Sequence, residues 1–156
     1  MKRWIIYLLV LVAIVWLNQR NPGGRDLVRM EPVEIIRIQS DGYHIRIEAD
    51  TGRHGVGTDI NEAVQDLKRT ADKEIFLETA EFLLVHENAM VYMDELMSML
   101  RPSCKVCIEN GQADLRKVAA FLRMQEPDVT LKQYRINPVR LPELIATEER
   151  MYLVQS

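Results

Sequence analysis

The stretch VEIIRIQSDGYHIRIEA, residues 33–49, determines the fold class more than any other part of this chain. Two runs rich in β-branched residues flank Asp41-Gly42, and an Asp-Gly pair between such runs is a strong hairpin signal. A two-residue turn there would give the hairpin one apolar face, with these cross-strand pairs: Ile36 with Ile47 and Ile38 with Ile45. The polar residues between them are expected to face solvent: His44, Arg46 and Glu48.

After the hairpin, helical and strand-like patterns alternate along the chain. Asp59 followed by Glu62 is the signature of a capped helix N-terminus, and the next apolar residues have helical spacing: Ile60, Ala63, Val64, Leu67 and Ala71. Two more helices are expected, over residues 89–100 and after Gly111. Strands are expected at residues 82–86, 104–109 and 129–136, with a Pro-bounded turn at 141–145 and a last apolar run at 151–154.

This order predicts helices packed against a sheet, and the hairpin makes that sheet mixed. The expected fold class is α/β or α+β: an N-terminal membrane helix, then one small domain with a mixed β-sheet and about three packed helices. The expected division is a signal anchor at residues 1–20, a linker with Pro and Gly at residues 21–32, and a single domain at residues 33–156.

The anchor is predicted from residues 4–17, WIIYLLVLVAIVWL, an uninterrupted apolar run behind Lys2 and Arg3. The run is shorter than the roughly 20 residues of a usual transmembrane helix, but Arg3 can extend it by reaching the headgroups. A buried soluble helix and a cleaved signal peptide are the alternatives; no small-residue cleavage site follows the run. We therefore expect a single-pass protein of the cell membrane with its C-terminal domain outside the cytoplasm.

Charge limits the partners of the domain. Five of the 20 Lys and Arg residues but only one of the 23 Asp and Glu residues precede residue 30, so the domain is more acidic than the whole chain, whose net charge is −3. Nucleic-acid phosphates require clustered Lys and Arg. We expect no nucleic-acid partner, and expect contact with the membrane through residues 4–17 and with other membrane or envelope proteins.

The residues Cys104 and Cys107 form a CxxC pattern inside a predicted strand. Side chains three residues apart in a strand point to opposite faces, which disfavours a disulfide or a shared metal ion. A thiol or redox site at these two residues is therefore the less favoured interpretation, and ordinary strand cysteines the more favoured one.

A glycine-rich segment, residues 52–58, leads into the first helix. Backbone amides at such a position can bind an anion, so Gly55, Gly57 and Thr58 form a candidate anion loop; a flexible connection is the alternative. The three histidines occur in separate elements, and no nucleophile-elbow pattern accompanies them. We expect no catalytic residues, no metal ligands and no cofactor.

The order and spacing of these motifs also resemble a known family. Residues 55–63, GVGTDINEA, then residues 74–77, EIFL, and the strands at 82–85 and 104–108 are similar to the N-terminal domain of Ger(x)C-type C subunits of spore germinant receptors. The resemblance covers roughly residues 44–123. Those subunits have a lipid-bearing cysteine and further domains, whereas this chain has no cysteine before Cys104. The resemblance implies a membrane-tethered, non-enzymatic, extracytoplasmic domain that acts in an assembly.

The sequence thus favours a membrane-anchored accessory or scaffold domain of a cell-envelope assembly, related to sporulation or germination. Two other functions stay open: an envelope thiol protein that uses Cys104 and Cys107, and a small-anion sensor that uses the glycine-rich loop.

Overall fold

Nine strands and four α-helices follow one another in the computed structural model, which describes residues 30–71, 73–147 and 150–156. The strands are β1 Met30–Pro32, β2 Ile35–Ser40, β3 Ile45–Ala49, β4 His54–Gly57, β5 Glu74–Phe76, β6 Phe82–Val85, β7 Lys105–Gly111, β8 Glu143–Ala146 and β9 Met151–Val154. The helices are α1 Ile60–Arg69, α2 Met93–Met99, α3 Leu115–Met124 and α4 Leu131–Ile136, and two 3-10 turns lie at Leu77–Thr79 and Glu87–Tyr92.

A seven-stranded mixed sheet in the order β4-β3-β2-β6-β7-β8-β9 forms the centre of the domain. Strands β2, β6, β7 and β8 are parallel to one another, and antiparallel pairing lies at each side, β2–β3–β4 on one and β8–β9 on the other. Strands β1 and β5 form a separate two-stranded sheet. The prediction of a small mixed α/β domain with about three packed helices is confirmed.

The predicted hairpin forms, but its register is shifted by two residues. Ile38 pairs with Ile47 and Ser40 with Ile45, because the loop contains four residues instead of two. The Asp41 carboxylate accepts hydrogen bonds from the amides of Tyr43 and His44, at 2.9 and 2.7 Å, and so stabilises the wider turn. A shift of two residues keeps every side chain on its own face, so the isoleucines remain buried.

Two apolar layers cover the two faces of the sheet. The first layer lies under α1, α2 and α4 and contains the alternate strand residues Ile36, Ile38, Leu83, Val85 and Val106. The second layer lies under α3 alone and contains Ile35, Phe82, Leu84, Cys107 and Leu144. Because α3 is one short helix, the second face is covered only in part, and polar residues occupy the rest.

The connection between β7 and β8 corrects two expectations. Residues 129–136 were expected to form a strand, but only a bridge between Thr130 and Lys105 forms there, and α4 follows. Thr130 and Gln133 form a capping box that starts this helix. Residues 141–145 were expected to be a turn, and strand β8 lies there instead, parallel to β7. The last apolar run forms β9, as expected.

Residues 31–156 form one compact unit by their internal contacts. The expected anchor at residues 4–17 and nearly all of the linker lie outside the described residues. No helix in the described part of the chain is long and apolar enough to cross a bilayer.

Candidate functional site

A buried ion pair lies on the second face of the sheet, next to the start of α3. Arg37 of β2 and Glu109 of β7 are 3% and 1% exposed. The guanidinium Nε and Nη2 each donate to the Glu109 carboxylate at 2.6 Å. Nη2 also donates to the carbonyl of Ala113 at 2.5 Å, and Nη1 donates to Glu48 at 3.1 Å.

The bonding of Arg37 decides what this polar centre can do. Burial alone would lower the pKa of the Arg37 guanidinium, but hydrogen bonds and charges from Glu109 and Glu48 outweigh burial and raise the pKa. All three guanidinium nitrogens already have protein acceptors. Four of its five N–H donors are thus bonded within the protein, and a buried arginine bonded in this way serves to hold strands together.

A cleft of about 350 Å³ opens beside this centre, between the second face of β3 and the start of α3. Its lining mixes charges: Arg46, Asp50, His54, Asp114 and Arg116 are among its residues. Most of these side chains are already bonded within the protein, because Arg46 donates to Glu48, Arg116 to the Asp50 carbonyl, and Asp114 caps α3. Burial raises the pKa of Asp50, although hydrogen bonds from three backbone amides oppose it.

A second cleft, of about 380 Å³, lies at the carboxyl ends of β2 and β6, the edge where open α/β sheets commonly bind ligands. His86 and His44, expected in separate elements, both line it. His86 Nε2 lies 3.1 Å from the Gln39 amide nitrogen and 3.6 Å from Glu109. Within the described residues, no group of three or more His, Cys, Asp or Glu side chains could hold a metal ion.

The two cysteines lie on opposite faces of the sheet, as the strand pattern predicted. Cys104 belongs to the first layer and Cys107 to the second, and both are free and buried. Burial raises the pKa of Cys104 to about 12 and raises that of Cys107 further. A thiolate is the reactive form of cysteine, so neither side chain presents one in this arrangement.

The glycines of the candidate anion loop form strand β4, and their role is close packing. A Cβ on Gly55 would lie 2.2 Å from the Ala63 carbonyl oxygen, and a Cβ on Gly57 would lie 2.4 Å from the Ala63 nitrogen. Only glycine lets α1 approach the strand so closely. The expected flexible connection is therefore replaced by a strand packed against a helix.

The amides at the start of α1 are occupied by carboxylates of the protein itself. Thr58 donates to Glu62 from both its amide and its hydroxyl, at 2.7 Å each, and the Glu62 amide donates to Asp59 at 2.8 Å. Asp59 caps α1 as the sequence indicated, but the reciprocal half of the expected capping box does not form, because the Glu62 carboxylate accepts from Thr58 instead of the Asp59 amide. An external anion at Thr58 would have to displace Glu62.

The same helix closes one edge of the sheet. His54 and Val56 point their backbone groups away from β3, because the neighbouring residue Gly55 forms the hydrogen-bonded pair with Ile47. The Val56 amide donates to Asp66 at 3.1 Å, and the His54 carbonyl accepts from Thr70 at 3.3 Å. Side chains of the α1 segment thus satisfy outward groups of β4.

The opposite edge, strand β9, pairs with no further strand among the described residues. Thr147 donates to the Arg150 carbonyl at 2.9 Å, and the alternation of an antiparallel ladder then points the backbone groups of Met151 and Leu153 outward. Among the described residues, none donates to or accepts from these outward groups. Beside them Tyr152 and Val154 are each 49% exposed. We call Met151–Val154, with its outward backbone groups, the β9 edge.

The sequence analysis predicted neither the buried pair of Arg37 and Glu109 nor the β9 edge. An arginine between isoleucines in β2 and a glutamate after the apolar run of β7 were the available signals of a buried pair. The β9 edge had no signal, because the sequence does not show which strands end the sheet. Comparisons with protein-family models, curated proteins and solved structures gave no match to this chain.

Proposed function

We propose that this chain is a non-enzymatic docking domain of a cell-envelope assembly. In this proposal residues 4–17 anchor it in the cell membrane, the domain faces away from the cytoplasm, and the β9 edge receives another protein. The single observation that carries the proposal is the difference between the two edges of the sheet: β4 is capped by side chains of the α1 segment, and the outward groups of β9 have no partner in the part of the chain that the structure describes.

Unpaired strand edges are a liability in soluble proteins, which commonly cap, charge or shorten them. The β9 edge contains no proline and no charged residue, and its side chains include the exposed Tyr152 and Val154. Such an edge can add a further strand through main-chain hydrogen bonds, with alternate side chains providing specificity. Protein docking is therefore the activity that this surface suits best.

The remaining polar features support docking over chemistry. Four of the five Arg37 donors are occupied inside the protein, the thiols of Cys104 and Cys107 are buried, and the amide of Thr58 is bonded to Glu62. The thiol alternative needs a movement that exposes a cysteine, and the anion-sensor alternative needs displacement of Glu62. The resemblance to germinant receptor C subunits leads us to place the proposed assembly in sporulation or germination.

The proposal is tested with the full chain in the membranes of its own host. We expect the solubilised protein to migrate on native gels above the mass of a monomer, and we expect Tyr152→Glu to return it to the monomer position. Tyr43→Glu is the matched control, because Tyr43 is 84% exposed in the β2–β3 loop, remote in sequence from β9. A monomeric wild-type protein would overturn the proposal.

Orientation is tested separately. Protease added to intact cells should digest the domain if it faces outside, and protection until the cells are lysed would contradict that part of the proposal.

A further inference from the structure

The β9 edge has a hydrogen-bonding pattern that is complementary to itself. Met151 and Leu153 each point one amide and one carbonyl outward. In an antiparallel pair, a hydrogen-bonded position uses both groups of both residues. If Met151 lies opposite Leu153 of a second β9 strand, then Leu153 lies opposite Met151 of that strand, and all outward groups of both edges are satisfied.

We propose that two copies of this chain pair through β9, antiparallel, with Tyr152 opposite Tyr152 of the second copy. This inference rests on the proposed docking function and names its partner. The two sheets join into one sheet of fourteen strands, and a two-fold axis perpendicular to it passes between the two tyrosines. A two-fold contact of this kind is isologous, so one patch serves both copies.

The side chains fit this register. Where the two β9 strands pair, Tyr152 and Tyr152 of the second copy form a non-hydrogen-bonded pair. In such a pair the opposed Cα atoms lie about 4.5 Å apart and the side chains meet most closely. The two rings can then contact each other, and aromatic cross-strand pairs are stabilising. Val154 and Ile145, exposed beside Tyr152 on the same face, extend the contact on both sides of the axis.

The charged side chains near β9 are also compatible with the pairing of two copies. Arg150, whose Nη1 lies 3.4 Å from the Tyr152 hydroxyl, falls opposite Val154 of the second copy. The two Arg150 residues are then separated by four strand positions, roughly 13 Å, which exceeds the screening length of about 8 Å at physiological salt. No like charges of the described residues are brought face to face.

A second copy suits this edge better than another envelope protein for a geometric reason. A two-fold axis perpendicular to the joined sheet keeps the first layers of both copies on the same side of that sheet. The described part of each chain begins in strand β1, which pairs with β5, and Ile75 of β5 packs in the first layer. The described parts of both chains therefore begin on the side of the first layer. Two copies tethered to one membrane satisfy this arrangement, and tethering raises their effective concentration.

A charge-swap experiment tests the pairing in membranes that contain the full chain. Tyr152→Glu and Tyr152→Lys each place like charges on the axis, so each variant alone should self-associate about tenfold more weakly than wild type. Co-expression of the two variants should restore association, because opposite charges then meet. Tyr43→Glu with Tyr43→Lys is the control and should change nothing in either case.

Cysteine cross-linking tests the register independently. Opposed Cα atoms at about 4.5 Å lie within the range that a disulfide spans, so Tyr152→Cys should form a covalent dimer on mild oxidation. The exposed control Tyr43→Cys should not, and Met151→Cys should cross-link only when mixed with Leu153→Cys. Equal cross-linking of Tyr43→Cys and Tyr152→Cys would overturn the inference.

The outcomes separate the two proposals. If Tyr152→Glu disrupts a larger assembly but the charge swap fails to restore it, the docking function stands and the second copy is wrong as the partner. If the wild-type protein is monomeric in its membrane, both proposals fail. Restoration by the swap together with the Tyr152 cross-link supports both.

Discussion

Arg37 reaches across strand β6 to Glu109, so an ion pair with two 2.6 Å hydrogen bonds joins β2 to β7, two strands that do not touch each other. The pair is enclosed where α3 begins, at the margin of the apolar second layer. Three strands of the sheet are thus held in register by one polar contact, because a slip of β2 or β7 would leave a buried charge without its partner.

Removal of one member of this pair should destabilise the domain strongly. We expect Glu109→Leu to lower the free energy of unfolding by about 3–5 kcal/mol, since the buried guanidinium loses its main partner. The double variant Arg37→Met with Glu109→Leu should recover most of the loss, because neither charge remains. Urea denaturation followed by circular dichroism measures both, and a double variant no more stable than Glu109→Leu would contradict this account.

The contact between β4 and α1 makes a second prediction. Gly55→Ala should lower the free energy of unfolding by about 2–3 kcal/mol, since overpacking against backbone atoms cannot be relieved by a rotamer change. Gly42→Ala is the control: Gly42 has a φ of +90° but open space around it, so only the backbone cost of a left-handed φ, about 1–2 kcal/mol, is expected. Equal losses for the two variants would show that α1 does not lie against β4 as described.

Low pH should weaken the contact between strand β4 and helix α1. A hydrogen bond from the Val56 amide, followed by the interaction with Arg69, lowers the pKa of Asp66 from its ordinary 3.8. A carboxylate with a lowered pKa stabilises the fold above its unfolded pKa, and this contribution disappears as the pH falls through the folded value. We therefore expect the melting temperature to fall below about pH 4, and to fall less for Asp66→Asn.

Asp94→Asn is the control for that experiment. Asp94 is an exposed carboxylate of α2 with no hydrogen bond among the described residues, so its replacement removes a surface carboxylate without removing a contact of β4. A profile of Asp66→Asn that follows wild type at every pH would refute the role of Asp66.

Thiol reactivity tests the redox alternative directly. Because Cys104 and Cys107 are buried and their pKa values are raised, we expect a thiol reagent at pH 8 to modify neither in the native protein and both in denaturant. An added surface cysteine, Tyr43→Cys, should react at once and shows that the reagent is active. Rapid native modification of Cys104 or Cys107 would revive the thiol hypothesis.

The parts of the fold that depend on local sequence were predictable. The hairpin, the capped start of α1 at Asp59 and the opposite orientation of the two cysteines all follow from side-chain period and capping chemistry within a few residues. The register of the hairpin was not predicted correctly, because the Asp41 side chain stabilises a four-residue loop where the Asp-Gly pair suggested a two-residue turn.

The parts that depend on strand order were not predictable. Whether Glu109 meets Arg37, and whether β9 ends the sheet, is decided by which strands become neighbours, and one sequence does not contain that information. Helix α4 is a different case, because the capping pair Thr130 and Gln133 was visible in the sequence. The β-branched residues Val129 and Thr130 concealed it by favouring a strand.

The path of the chain between β7 and β8 has a consequence for biosynthesis. After β7, helix α3 packs on the second face of the sheet. The chain then passes along the first residues of β7, and Leu131 and Leu141 pack on the first face. Leu141 completes one layer and Leu144 the other, so neither layer can close while the ribosome still holds residues 141–144. A nascent domain therefore has no stable half, and its folding must wait until strand β8 has left the ribosome.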